Sequence, residues 1–176
     1  LYNVTITATD DGNATDDEIV EITVNQVNLP PTLDPIGAQS IAEGNTLNVT
    51  VTASDPDGTI PSLAASPLPA NATFTDNTDG TGTFVFTPDF TQEGSYDITF
   101  TATDDSGDVA SELVTVTVTD AGNQPPVVAS VPPQSVDEGQ LLEFTVTASD
   151  PDGTVQSLAA TDLPTGASFT DNGDGT

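Results

Sequence analysis

Asp-Pro-Asp-Gly stands at Asp55 to Gly58 and again at Asp150 to Gly153, inside a stretch, Val51 to Thr59, that returns unchanged as Val146 to Thr154. Each copy holds two carboxylates two residues apart. The chain that carries them has 28 acidic residues and no lysine, arginine or histidine, for a formal charge of −28. Two carboxylates about 5 Å apart repel by roughly 3 kcal/mol at an effective dielectric near 20. Acidic residues that recur at fixed places are thus suited to hold a cation that the protein does not itself supply. With no cysteine and no histidine, only carboxylate, amide and backbone oxygens are left as ligands. That donor set suits hard ions, calcium above all.

The same composition excludes several functions. Nucleic acids and anionic bilayers are met by cationic side chains, so neither nucleic acid binding nor direct membrane insertion is expected. Metal ions and basic surfaces are the attractive partners. Without lysine, Lys-Asn isopeptide crosslinks cannot form. For catalysis only carboxylates and hydroxyls remain, and a glycosidase pair needs a cleft around it. Two Tyr, seven Phe and no Trp provide no sugar platform, and no enzyme is expected. The sequence has no apolar run of about 18 residues that would span a bilayer. With neither a secretory leader nor a starting methionine, it reads as an internal or mature segment of an extracellular, cell-surface protein.

The carboxylates need elements to position them, and the apolar pattern supplies these. Such acidity is compatible with disorder, but Leu47, Val49, Val51 and Ala53 alternate with Asn48, Thr50 and Thr52, and Tyr96, Ile98, Phe100 and Ala102 with Asp97, Thr99 and Thr101. Val114, Val116 and Val118 do the same against Thr115 and Thr117. These are half-buried strands with a threonine-rich outer face. Further strands are expected near 39–42, 59–65, 72–76 and 81–87. The pattern turns Tyr96, Phe100 and Phe144 inward and leaves Phe90 unassigned.

Aligned to itself, the chain pairs Tyr2 with Tyr96, Asp10 with Asp104, Pro30-Pro31 with Pro125-Pro126, Glu43 with Glu138, and Phe74 with Phe169. One repeat suits one small domain. The proline pairs, each preceded by a short Asn- or Gln-bearing stretch, are the linkers. Residues 1–25 are then the C-terminal part of a first repeat (strands F and G), 26–120 a complete repeat, and 121–176 the N-terminal part of a third. Seven strands in 95 residues, with turn residues between them, read as an all-β, immunoglobulin-like Greek-key sandwich.

With strands A to G alternating in direction, the ends of B and F lie at the N-terminal pole of a domain and the A–B and E–F turns at its C-terminal pole. The junction of the second and third repeats then collects Glu43, Asp89, Glu93, Asp120, Asn123, Asp150 and Asp152. The junction of the first and second collects Asn25, Asn28, Asp55, Asp57 and Asp104. A plainer reading stays beside this one, because Asp-Pro-Asp-Gly is by itself a good turn sequence.

The same motifs resemble cadherin repeats. Val-Thr-Ala-Ser-Asp55-Pro-Asp57-Gly is similar to a cadherin strand B ending in Asp-x-Asp, and Tyr96 to Gly107 to a strand F ending in Ala-x-Asp104-x-Gly-like spacing. Glu43-Gly and Glu138-Gly sit where cadherins place an early ligand Glu, Asp10 repeats the place of Asp104, and Asn28-Leu-Pro and Asn123-Gln-Pro match the Asn-x-Pro that closes a cadherin linker. The wording as a whole, including Leu163-Pro-Thr-Gly, resembles the cadherin-like and immunoglobulin-like repeats of bacterial or archaeal surface adhesins. The resemblance implies tandem sandwiches with calcium at their junctions, forming a structural stalk or fibre on a cell surface. Its partners would be neighbouring repeats and other protomers. An adhesive module that binds a glycan or a cell-surface protein is the alternative. The linkers hold one acidic residue at most, and the cadherin Asp-Arg-Glu motif is matched only loosely by Asp89 to Glu93, so one or two ions per junction are expected.

Three further motifs need a reading. Asp76 to Gly80 and Asp171 to Gly175 begin like an EF-hand loop but lack its later Glu, and read as hairpin turns. Leu163-Pro-Thr-Gly lies inside a domain and reads as a turn rather than a sortase site. Asn3, Asn13, Asn48 and Asn71 each begin an Asn-x-Thr sequon, open to glycans on a secreted protein or to chance in a chain rich in both residues.

Overall fold

A computed structural model describes all residues from Leu1 to Thr176. It contains strands and no helix, so no helix is long and apolar enough to cross a membrane. The complete repeat runs β3 (Thr32–Leu33), β4 (Gln39–Ala42), β5 (Leu47–Ser54), β6 (Ser62–Ser66), β7 (Ala72–Asp76), β8 (Thr81–Phe86), β9 (Gly94–Thr103) and β10 (Val109–Thr119). They form two four-stranded sheets, ordered β3-β5-β8-β7 and β4-β10-β9-β6. All neighbours are antiparallel except β4 and β10, which run parallel from Gln39 opposite Val116 to Ala42 opposite Thr119. This is the immunoglobulin-like arrangement, with the first strand divided between the sheets.

The division has a local cause. The chain crosses from one sheet to the other at Asp34 to Gly37, where Gly37 takes a φ of 69°. The Glu112 carboxylate accepts the backbone N–H groups of Ile36 and Gly37, both at 2.9 Å. The expected strand at 59–65 begins later, at Ser62, because Pro61 has no N–H to offer a ladder.

Alternation decides what is buried. Val51, Ala53, Phe84, Phe86, Ile98, Phe100, Val114, Val116 and Val118 form the core with Leu63 and Ala102. Phe84 meets Phe100 edge-on with centroids 5.6 Å apart, and Phe86 meets Tyr96 likewise at 5.5 Å. Such pairs add about 0.5–1.5 kcal/mol each beyond their buried area. The Tyr96 hydroxyl donates to the Gln92 carbonyl at 2.9 Å, closing the turn before β9 as a tyrosine corner does. Gly82 is buried where a Cβ would lie 2.4 Å from Phe74 Cζ, so the missing side chain makes room for that ring.

The outer faces follow from the other half of the alternation. Thr50, Thr52, Thr73, Thr75 and Thr83 cover the outside of β5, β7 and β8 with Asn48, Thr81 and Val85, and no carboxylate stands among them. On the opposite sheet Asp97 accepts a hydrogen bond from the Thr115 hydroxyl at 2.6 Å. Glu112 stands within β10, and the other acids of the repeat gather in turns and at the two poles.

The flanking segments are simpler. β1 (Tyr2–Thr9) and β2 (Thr15–Ile22) form a hairpin in the register of β9 and β10, Tyr2 facing Ile22 as Tyr96 faces Val116. In 121–176 only β11 (Val127–Val128) and β12 (Ala148–Ser149) pair. Phe144, expected inward, is 51% exposed. Its counterpart Val49 packs opposite Phe84 of β8, a partner Phe144 does not have among residues 121–176. Phe90 proves half-buried, its ring lying over Gly44, where a Cβ would come within 2.7 Å of it.

Candidate functional site

The N-terminal pole of the complete repeat brings together the end of β5, the β9–β10 loop and the preceding linker. Asp55 and Asp57 follow β5 in a tight turn: the Asp57 N–H donates to Asp55 Oδ1 at 2.9 Å and the Thr59 hydroxyl to Asp55 Oδ2 at 3.0 Å. The interaction of the two neighbouring carboxyl groups lowers the pKa of Asp55 and raises that of Asp57, the latter against the opposing pull of the Leu29 N–H. Asp104, 7% exposed, accepts the N–H groups of Ser106 and Asp108 at 3.0 and 2.8 Å. The Asn28 amide, more than any other donor, holds it below the usual carboxylate range, against the effect of burial.

Asn28 is the centre of this pole. Its Nδ2 donates to Asp104 Oδ2 at 2.8 Å and to Asp108 Oδ2 at 2.9 Å, while its Oδ1 accepts the Ser106 hydroxyl at 2.9 Å. An amide nitrogen thus stands between two carboxylates, the place a cation would take. The next residue is held as well, Leu29 N–H donating to Asp57 Oδ2 at 2.8 Å. The following linker repeats that last contact, with the Gln124 N–H on Asp152 Oδ2. The second acid of each Asp-Pro-Asp-Gly therefore fastens the linker to the domain that comes after it.

The C-terminal pole is built on Glu43, in the β4–β5 turn. Its N–H donates to the Thr119 carbonyl at 3.0 Å, and its side chain is 4% exposed. Glu43 Oε2 accepts the Ala121 N–H at 3.3 Å, whereas Oε1 is buried with no hydrogen-bond partner. Asp57 Oδ1, at the other pole, is in the same condition. The β8–β9 turn closes over Glu43's neighbour, Gly44 N–H donating to Pro88 O at 2.8 Å.

The poles therefore unite Asn28, Asp55, Asp57 and Asp104 at one end, and place Glu43 beside the start of the next linker at the other. Other candidates are engaged locally. Asp89 Oδ1 accepts the N–H and hydroxyl of Thr91 at 3.0 and 2.7 Å and its Oδ2 the Asn71 amide at 3.1 Å, with the Thr91 hydroxyl foremost in lowering its pKa. Asp120 accepts the Gly122 N–H at 2.7 Å, Asn123 donates to Gln124 O at 3.0 Å, and Asp150 accepts the Asp152 N–H at 3.3 Å. Asp10 accepts the N–H groups of Gly12 and Ala14 within its own loop. Asn25, Glu93 and Glu138 are exposed. Asp108 and Ser106 were missed by sequence reasoning; their place in the loop after Asp104 is the feature that could have pointed to them.

Nowhere do three carboxylates converge within the reach of one ion. The donors nevertheless suit calcium in kind, since every one is an oxygen and two carboxylate oxygens are buried without partners. Asp57 Oδ1 would hold an ion at one pole and Glu43 Oε1 at the other, while beside Asp104 the Asn28 amide nitrogen takes the cation's place.

A family model described as a bacterial Ig domain matches residues 28–117. The chain belongs to that family. The match coincides with the two-sheet unit from β3 to β10 and begins at Asn28, the linker residue fastened to its pole. The bacterial Ig domain is also similar to chitinase A of Pseudoalteromonas piscicida, 31% identical over 132 residues, which are 75% of this chain but only 16% of that protein. Among solved structures, the SrpA adhesin of Streptococcus sanguinis aligns with a TM-score of 0.46 and 10% identity, over 57% of this chain and 63% of the other. The Ig1-2 module of the Drosophila receptor tyrosine phosphatase DLAR gives 0.43 and 18%, over 58% and 57%.

Proposed function

We propose that these bacterial Ig domains are structural repeats of an extracellular surface stalk, adhesin or fibre, stiffened by calcium at their junctions. The observation that carries the reading is the fastening of the linker at Asn28 and Leu29 to Asp104, Asp108 and Asp57. A linker fixed to the domain behind it leaves one joint to be stiffened, between the linker and the domain before it. The buried, unpartnered Glu43 Oε1 lies at that face of the repeat. Calcium supplies the charge neutralisation that this carboxylate lacks, and extracellular modules bind it at about 0.1–1 mM. Linkage does the rest: an ion bound only when domain and linker are aligned turns its binding energy into resistance to bending.

The similarity to part of chitinase A favours a second reading, a spacer module within a larger secreted enzyme. An adhesive surface has less support, because every aromatic ring of the complete repeat is buried or half-buried.

Small-angle scattering of at least three full repeats in tandem, in 2 mM calcium and then in excess chelator, tests the proposal. A rod in calcium that bends freely in chelator is the expected pair of profiles. Identical profiles would overturn the role of calcium and leave a spacer whose stiffness is that of its linkers.

A further inference from the structure

Four Asn-x-Thr sequons occur in the chain, and their surroundings differ in a way that separates them. Asn71 has both hydrogens of its amide engaged, by Asp89 Oδ2 at 3.1 Å and Gln92 Oε1 at 2.7 Å. Asn3 lies within β1, opposite Glu21, and Asn48 within β5, opposite Val85. An acceptor in a paired strand is drawn into an enzyme groove only by breaking its ladder. Asn13, like Asn71, stands in a turn with its side chain exposed, between the end of β1 at Thr9 and the start of β2 at Thr15, but its amide is not tied to a neighbouring side chain as that of Asn71 is.

Comparison with the second repeat sharpens this. The β9–β10 loop occupies the same place, and there Asn13 corresponds to Gly107 and Thr15 to Val109. Both loop residues take a positive φ, 62° for Asn13 and 93° for Gly107. The backbone asks for glycine or asparagine at this point, so the turn alone accounts for the asparagine. It does not account for the threonine two residues on. The two differences together create a sequon where the sister loop has none.

We propose that Asn13 is an N-glycan acceptor. The substrate that would meet it is an oligosaccharide carried on a polyprenyl pyrophosphate, presented by an oligosaccharyltransferase. The Asn13 amide nitrogen forms a bond to the anomeric carbon while the bond from that carbon to the pyrophosphate oxygen breaks. The lipid pyrophosphate leaves with the bonding pair, and one amide proton passes to a base of the transferase. Thr15, exposed at the first pair of the hairpin, presents the sequon hydroxyl. The loop itself is held by the Asp10 carboxylate on Gly12 and Ala14 and by backbone bonds from the Asn13 N–H to Asp10 O at 3.1 Å and from the Asp10 N–H to Ala14 O at 2.9 Å, all of them outside the Thr9–Thr15 pair where the ladder begins.

The test uses the whole folded chain, a purified bacterial oligosaccharyltransferase and its undecaprenyl-pyrophosphate oligosaccharide, read by intact mass. Trypsin finds no site in this chain, so glutamyl endopeptidase is used for mapping. One glycan per chain on the peptide holding Asn13 is expected, and both Asn13→Gly and Thr15→Val should abolish it. These variants install the residues of the sister loop, which folds with them. A free peptide covering residues 8–18 serves as the control for enzyme activity. Modification of that peptide but not of the folded chain overturns the proposal, as does a glycan that survives Asn13→Gly. An unmodified Asn13 in protein recovered from its native cell surface does so too.

Discussion

Asn28→Ala tests whether the linker belongs to the domain behind it. The substitution removes three hydrogen bonds, to Asp104, to Asp108 and from Ser106, at 2.8, 2.9 and 2.9 Å. A net contribution of about 1 kcal/mol per bond, reduced where water can replace a partner, gives roughly 2–3 kcal/mol for holding the linker down. At 1.4 kcal/mol per factor of ten, linker opening becomes about thirty- to 150-fold more frequent. The reporter is the adjacent Leu29 amide, which is protected only while it donates to Asp57. Its hydrogen exchange, followed by NMR in excess chelator, should accelerate by that factor while the ladder amides of β9 and β10 keep their wild-type rates. Asn28→Asp should open the linker in chelator through like-charge repulsion from Asp104 and Asp108, and calcium should close it again. The reasoning is refuted if Leu29 exchange changes less than about threefold in Asn28→Ala, or if the core amides accelerate with it.

Three other perturbations probe the frame around the poles. Phe84→Ala, at a position with no exposure, should destabilise the complete repeat by about 3–5 kcal/mol and lower its thermal midpoint by roughly 12 °C or more. Gly44→Ala forces a side chain onto a φ of 73° beneath Phe90, at about 1–2 kcal/mol for the backbone alone. In urea titrations, Phe90→Ala as a second change should recover only the part due to the ring contact. Glu112 is held below its ordinary value of 4.5, first by the Gly37 N–H and then by that of Ile36. A lowered folded-state pKa means that its contribution is fully present above that ordinary value and is lost as pH falls through the lower, folded one. The stability gap between wild type and Glu112→Gln, measured by denaturant titration from pH 6 to pH 2, should therefore be widest above pH 4.5 and close in acid.

The fold was legible because its information is local and repeated. Strict alternation from Leu47 to Ala53 and from Tyr96 to Ala102 names the inward residues, and the echo of Val51 to Thr59 in Val146 to Thr154 sets the repeat length. The poles were legible in outline for the same reason, since strand direction alone sends Asp57 and Asp104 to one end and Glu43 to the other. What sequence did not reveal is how each carboxylate is engaged. Whether Asp89 is free for an ion or occupied by Thr91 and Asn71 depends on turn geometry and on a partner 18 residues away. Alternation gives a face and not its cover, and among residues 121–176, where only β11 and β12 pair, Phe144 is exposed rather than inward.

The uncharged threonine face between two acidic poles has a consequence for many chains standing side by side. Electrostatic repulsion between neighbours is screened within about 8 Å at physiological ionic strength. Charge spread evenly along a strut would oppose contact at every height. Charge gathered in bands opposes it only where band meets band, and a shift of half a repeat brings each band against the neutral, hydroxylated face of β5, β7 and β8, although the opposite sheet carries Asp97 and Glu112. Chains meeting through this face would then have a preferred stagger, with dilute salt spreading them and concentrated salt letting them draw together.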